Sequence, residues 1–124
     1  MTGEIGQVRL TITGEPASKA NSRKMVLIGG KPRFIKSQKA LDWMKNAEKQ
    51  IPVRDPLLTC PLVGFFLIHY ASHRPDLDES LILDFLQGRI YQNDRQVRER
   101  HTYHAIDRDN PRTEIILKPL LVSK

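Results

Sequence analysis

The feature that most constrains the fold is residues 62–70, LVGFFLIHY, a nearly continuous apolar run rich in aromatic and branched side chains. It is far shorter than the roughly 18 apolar residues that would suggest a membrane span, and it has the length of a strand. Such a run predicts a central strand buried on both faces, so the rest of the chain must supply layers to cover it. His69, near its end, reads first as a satisfied core or edge histidine.

The flanking segments supply those layers. Residues 5–13 alternate Val8, Leu10 and Ile12 with polar neighbours, the period of a half-buried strand, and Gly14 and Pro16 end it. Residues 14–24, GEPASKANSRK, combine turn formers and bases without apolar periodicity, which predicts an exposed loop whose backbone is free to face a ligand. Gly29-Gly30 between MVLI and KPRFI is a hairpin signal, with Pro32 confining the second arm to a sheet edge. Ser37 is positioned as an N-cap, and Ala40, Leu41, Trp43, Met44, Ala47 and Ile51 then follow helical spacing. After the central strand, Leu77, Leu81, Ile82, Phe85 and Leu86 form a second helical stripe closed by Gly88. Gln92-Asn93-Asp94 reads as a turn, and 97–106 and 112–117 read as two final strands joined by Asp109, Asn110 and Pro111.

This order predicts one small α/β domain over 1–124, a mixed β-sheet with helices packed on it. A length of 124 residues with 40% hydrophobic and 27% charged side chains fits one domain with its own core and excludes two independent ones. The lone Cys60 cannot form an internal disulfide. The start, MTGEIGQVRL, lacks the basic and apolar regions of a secretory signal, so a soluble cytoplasmic protein with no membrane association is expected.

Charge is divided unevenly along the chain. Residues 1–54 carry eleven bases and four acids, whereas 55–124 carry nine and ten. Lys19, Arg23, Lys24, Lys31, Arg33, Lys36 and Lys39 follow one another with no acid between them, a series that a polyanion would relieve of self-repulsion. A plain solvated basic surface explains the same series equally well. Against this, Asp76, Asp78, Glu79 and Asp84 cluster where the central strand hands over to the next helix.

Asp76 and Asp78 are two residues apart, so an extended backbone would turn both toward one cation, and Asp94 beyond the short helix can return to the same end of the sheet. Carboxylates are hard oxygen donors of the kind Mg²⁺ takes together with water and substrate phosphate. Two such ions about 3.5–4 Å apart would activate water and stabilise the leaving oxygen of a phosphodiester. The bland alternative is that Asp76 or Asp78 merely caps the helix and Asp94 shapes a turn, and spacing alone weighs toward it. The basic surface nearby shifts the balance, because a cation would reconcile acids with a bound polyanion. His69, His73, His101 and His104 have spacings that do not converge on strands or loops, which argues against zinc. Phosphate-binding glycine loops and nucleophile elbows are absent from the sequence.

GEPASKANSRK after the first strand, RPDLDESLILDFLQGRIYQNDRQV, and the final strands through PRTEIIL resemble the RusA family of Holliday junction resolvases, common in bacteriophages and prophages. The specific part is D-L-D followed, past one helix, by G-x-x-Y-x-x-D-x-Q-V. The resemblance implies a small homodimeric α/β nuclease that binds four-way DNA junctions and cuts two strands symmetrically in recombination or repair. It implies Mg²⁺, or Mn²⁺ in its place, held by Asp76, Asp78 and Asp94, and products with 5′-phosphate and 3′-hydroxyl ends. Lys19, Asn21, Arg23, Lys24 and Arg33 would then contact the DNA backbone.

Two departures accompany it. Where the family often has Asn after D-L-D this chain has Glu79, either a further metal ligand or a first-turn acid, and where it often has lysine this chain has Ile82. No lysine lies between Lys49 and Lys118, so Lys19, Arg74 or Arg95 would have to stabilise phosphate charge. The alternatives are a noncatalytic binder of branched DNA or RNA on the same fold, and a nuclease for flaps or other branches.

Overall fold

A computed structural model of the chain describes residues 6–18 and 21–121. Its elements, in chain order, are β1 (Val8–Thr13), β2 (Arg23–Ile28), β3 (Lys31–Lys36), α1 (Gln38–Gln50), β4 (Leu62–Tyr70), α2 (Ser80–Leu86), a 3₁₀ turn (Asp94–Gln96), β5 (Val97–Ile106) and β6 (Arg112–Pro119). The predicted order of strand, hairpin, helix, strand, helix, strand, strand is therefore the order observed. Ser37 caps α1 as expected, its hydroxyl accepting the Ala40 N–H at 3.2 Å.

Four strands form one sheet in the order β1-β6-β4-β5, while β2 and β3 pair only with each other. β4 runs antiparallel to β6 and parallel to β5, so the sheet is mixed. The two final strands do not pair with each other. The last strand crosses to the far side of β4, placing the apolar run at an interior position.

The expectation that β4 is buried on both faces is corrected. Phe66, Ile68 and Tyr70 are fully buried, but the alternate residues Phe65, Leu67 and His69 are only half-buried. Both helices explain this, since Trp43 and Ala47 of α1 and Leu81, Phe85 and Leu86 of α2 share one core with Ile12, Phe66, Ile68, Ile115 and Leu117. They cover the same face of the sheet, and a single helical layer cannot cover the other. On the uncovered face His69 Nε2 lies 2.6 Å from a Glu114 carboxylate oxygen, in agreement with a satisfied histidine. Gly64 is required within β4 because a Cβ there would come 2.8 Å from the Phe66 ring.

The loop after β1 is also corrected. Pro16, Ala17 and Ser18 are buried rather than exposed, and Ala17 belongs to the core. Glu15 draws this segment inward by accepting the Ala71 N–H at 2.7 Å at the end of β4. Among the described residues, no helix is long and apolar enough to cross a membrane.

Candidate active site

The D-L-D segment lies where β4 ends and α2 has not begun, in a stretch without regular structure. Its shape is set by Tyr70, the last residue of β4. The buried Tyr70 hydroxyl donates to the Asp76 carbonyl at 3.3 Å and accepts the Asp78 N–H at 3.3 Å. One side chain thus clamps the backbone on both sides of Leu77. Behind it the Tyr70 ring packs on His104 at 4.7 Å between centroids, and His104 stacks on His73 at 6.3 Å.

Burial pushes the Tyr70 phenol above its ordinary range, the Asp78 N–H bond opposes this, and the charges of Asp78, Glu15 and Glu79 add to the rise. The phenol therefore stays protonated, as the clamp requires. Three carboxylates act on one hydroxyl here. Neither Tyr70 nor Glu15 was legible as a site residue, because a tyrosine closing an apolar strand looks like core and a glutamate beside Gly14 and Pro16 looks like part of a turn.

The acids differ in setting. Asp76 is exposed, whereas Asp78 is 9% exposed, so the pair does not present two equivalent carboxylates. Asp78 Oδ1 accepts the Ser80 N–H at 3.0 Å and the Ser80 hydroxyl at 2.7 Å, so it satisfies the first amide of α2 although the N-cap position is Glu79, whose side chain makes no capping bond. Glu79 lies 3.8 Å from the Arg100 guanidinium of β5.

Asp94 opens the 3₁₀ turn, held by a reciprocal pair in which Asn93 Oδ1 accepts the Arg95 N–H at 2.9 Å and Gln96 Oε1 accepts the Asn93 N–H at 2.8 Å. The Asp94 N–H in turn donates to Gln87 at the end of α2. Tyr91, fully buried, donates to the Leu83 carbonyl at 2.8 Å. Its phenol is pushed well above the ordinary range by burial first and then by Asp94 and Asp84, with Arg100 opposing them. Arg100 therefore pairs with Glu79 and also acts on the Tyr91 phenol, where it opposes Asp94 and Asp84.

Even so, no group of three or more His, Cys, Asp or Glu side chains among the described residues is arranged to hold a metal ion. The donor chemistry suits a hard cation, but Asp76, Asp78 and Asp94 do not form a ready three-ligand cage. Asp78 is turned toward Ser80 and Glu79 toward Arg100.

The bases fall in two sets. Arg23 and Lys24 of β2 and Arg33 of β3 are exposed on the β2–β3 hairpin, as are Asn21 at its root and Arg74 and Arg95 beside the acidic segments. Lys19 lies outside the described residues. Lys36 and Lys39 instead face acids, at 3.5 Å from Asp84 and 3.5 Å from Glu15 respectively. The first pair joins the basic arm to α2, and the second joins α1 to the segment after β1.

A model of the endodeoxyribonuclease RusA family matches residues 13–118, from the end of β1 through nearly all of β6. No curated protein matches the chain. The match spans the D-L-D segment, the Tyr91-to-Val97 motif and the strands that carry them, and the chain belongs to the RusA family of endodeoxyribonucleases, nucleases associated with Holliday junction resolution.

Proposed function

We propose that this chain hydrolyses phosphodiesters in four-way DNA junctions, in pairs and in a divalent-cation-dependent manner, in the cytoplasm during recombination or repair. The observation that carries this reading is the Tyr70-clamped D-L-D segment, with its carboxylates at one end of α2 and a basic arm attached through Lys36 and Asp84. Asp76, Asp78 and Asp94 are the residues we assign to catalysis and to Mg²⁺ or Mn²⁺, with Glu79 near them. An ion of this kind commonly takes one or two carboxylates and completes its shell with water and substrate phosphate, so a closed protein cage is not required. When bound, it would supply the positive charge that activates water and stabilises the leaving oxygen.

The chain's own residues have separable tasks. Ser80 fixes one oxygen of Asp78 and leaves the carboxylate oriented. The neutral Tyr70 phenol holds the segment in register, and Arg100, with Arg74 and Arg95, brings positive charge to a strand that the acids would otherwise repel. A homodimer would place two such sites on a two-fold junction. The uncovered sheet face, where Arg9 and Glu114 lie among Phe65, Leu67, Tyr103 and Ile116, offers apolar area and both signs of charge for a self-complementary contact.

A second reading, a noncatalytic binder of branched nucleic acid, is favoured by one observation. Ile82, at the position where the family often has lysine, is fully buried in the core and brings no charge to phosphate. Binding and cutting of a four-way junction, measured in Mg²⁺, Mn²⁺ and EDTA, separates the two. Cutting that requires either ion supports the nuclease; tight binding without cutting in both ions overturns it in favour of the binder.

A further inference from the structure

The β2–β3 hairpin stands apart from the sheet and keeps its largest apolar side chains in water. Phe34 is 72% exposed, Leu27 70% and Met25 59%, and none belongs to the core. Cross-strand partners share a face, so the register sorts the arm into two sides. One side carries Met25 opposite Phe34 and Leu27 opposite Pro32, with Arg23 opposite Lys36 at its root. The other pairs one aliphatic with one cation three times over: Lys24 with Ile35, Val26 with Arg33, and Ile28 with Lys31. Gly29 and Gly30 close the tip at φ 59° and 79°, conformations that let a two-residue turn join straight, tightly paired strands.

An exposed apolar face of this kind marks an interaction site. Arg23, Lys24, Lys31, Arg33 and Lys36 are five cations in a stretch with no acid, so apposing two copies of the arm would set like charges against each other. A lipid surface that engaged Met25, Leu27 and Phe34 would leave Lys24, Lys31 and Arg33, on the opposite side, pointing away from the headgroups. The remaining occupant that satisfies both sides is nucleic acid whose bases are accessible beside its phosphates. Continuous duplex hides base faces within the stack, whereas a branch point exposes them.

We infer that the arm is a wedge, with Phe34, Met25 and Leu27 stacking on unstacked bases at a DNA branch while Lys24, Lys31 and Arg33 lie along the phosphates of the adjoining arm. Aromatic side chains stack on bases with little regard to sequence, and apolar wedges favour DNA that is already unstacked. The wedge deepens the junction reading above by assigning recognition of the branch to residues outside the acidic site. Its root is fixed by the Ser37 N–H to Ser22 carbonyl bond of 2.9 Å and by the Lys36–Asp84 pair. Asp84 lies on α2, which spans about 10 Å at 1.5 Å per residue, so a branch held by the arm would bring nearby strands to the acids.

The test uses the full chain in EDTA, with 2-aminopurine at the branch point of a four-way junction or at the centre of a linear duplex. Wild type should raise fluorescence at the branch only. Phe34→Ala should lose most of that rise and bind the junction roughly tenfold more weakly, with unchanged duplex binding and an unchanged salt slope. Phe34→Trp, which keeps a stacking ring, should retain both signals and serves if the alanine variant folds poorly. Combined Lys31→Ala and Arg33→Ala should weaken binding to both DNAs and make the salt dependence shallower by roughly two. The wedge is overturned if wild type binds without raising branch fluorescence, if Phe34→Ala behaves as wild type, or if Phe34→Ala dissociates a dimer by sedimentation. A wild type that cuts the junction with Mg²⁺ but gives no rise in branch fluorescence overturns the wedge alone. A preserved wedge signal without cutting supports the wedge and overturns only the nuclease reading.

Discussion

The body of the molecule and its β2–β3 arm are both made of short alternating strands, yet they spend their apolar side chains differently. β1 and β6 turn Ile12, Ile115 and Leu117 into the core, whereas β2 and β3 hold Met25, Leu27 and Phe34 in water. The body joins a four-stranded sheet with a helical layer, while a lone two-stranded hairpin has no second layer against which to bury a face. Apolar periodicity therefore means stability in one region and recognition in the other. Charge follows a similar division: the carboxylates of the site are fixed by the body, while Arg23, Lys24, Lys31 and Arg33 stand exposed on the arm.

The sharpest division is between cutting and holding. Asp78→Asn keeps an oxygen for Ser80 and removes a negative charge, so it should abolish cleavage while preserving or tightening junction binding, as read by gel shift beside a cleavage assay. Equal loss of both would show that Asp78 serves folding instead. On stability, Phe66→Ala in the body should cost about 3–5 kcal/mol by denaturant unfolding, whereas Phe34→Ala on the arm should stay within about 0.5 kcal/mol. Similar costs at the two positions would break the contrast.

Smaller effects probe the clamp that joins core to site. Tyr70→Phe removes both hydrogen bonds to the D-L-D segment and should cost about 1–3 kcal/mol of stability, with slower cutting and little change in binding. Tyr70 and Tyr91 both have raised phenol pKa values, so their contribution to stability is complete below the ordinary tyrosine range. It is lost as pH rises through their folded values, and denaturation followed above about pH 10 should show a decline that Tyr70→Phe reduces. Last, Lys36→Ala removes a half-exposed pair with Asp84 and should cost less than about 1 kcal/mol.

Local signals were read well from sequence alone. Gly29-Gly30 makes the hairpin and Ser37 starts α1, because both depend on a few adjacent residues. The acidic segment also falls where strand gives way to helix, as its apolar run and Pro75 imply. What sequence did not convey is nonlocal. An apolar run such as 62–70 does not show whether helices cover one face or two, and turn formers at 14–18 look alike whether exposed or drawn inward by Glu15. The meeting of Tyr70 with Asp76 and Asp78, and of Arg100 with Glu79, depends on the end of β4 and on the parallel placement of β5. The three aspartates were expected to face one cation, but Asp78 is held by Ser80 and Asp94 sits in a turn built by the Asn93–Gln96 pair, each by its own local contacts.

The most direct test of the account maps cleavage on every strand of an end-labelled four-way junction beside a linear duplex of the same sequence, with Mg²⁺ and with EDTA. The account predicts paired, symmetric, Mg²⁺-dependent cuts confined to the junction. A junction that is bound but uncut in Mg²⁺ and Mn²⁺, or a duplex cut as readily as the junction, would contradict it.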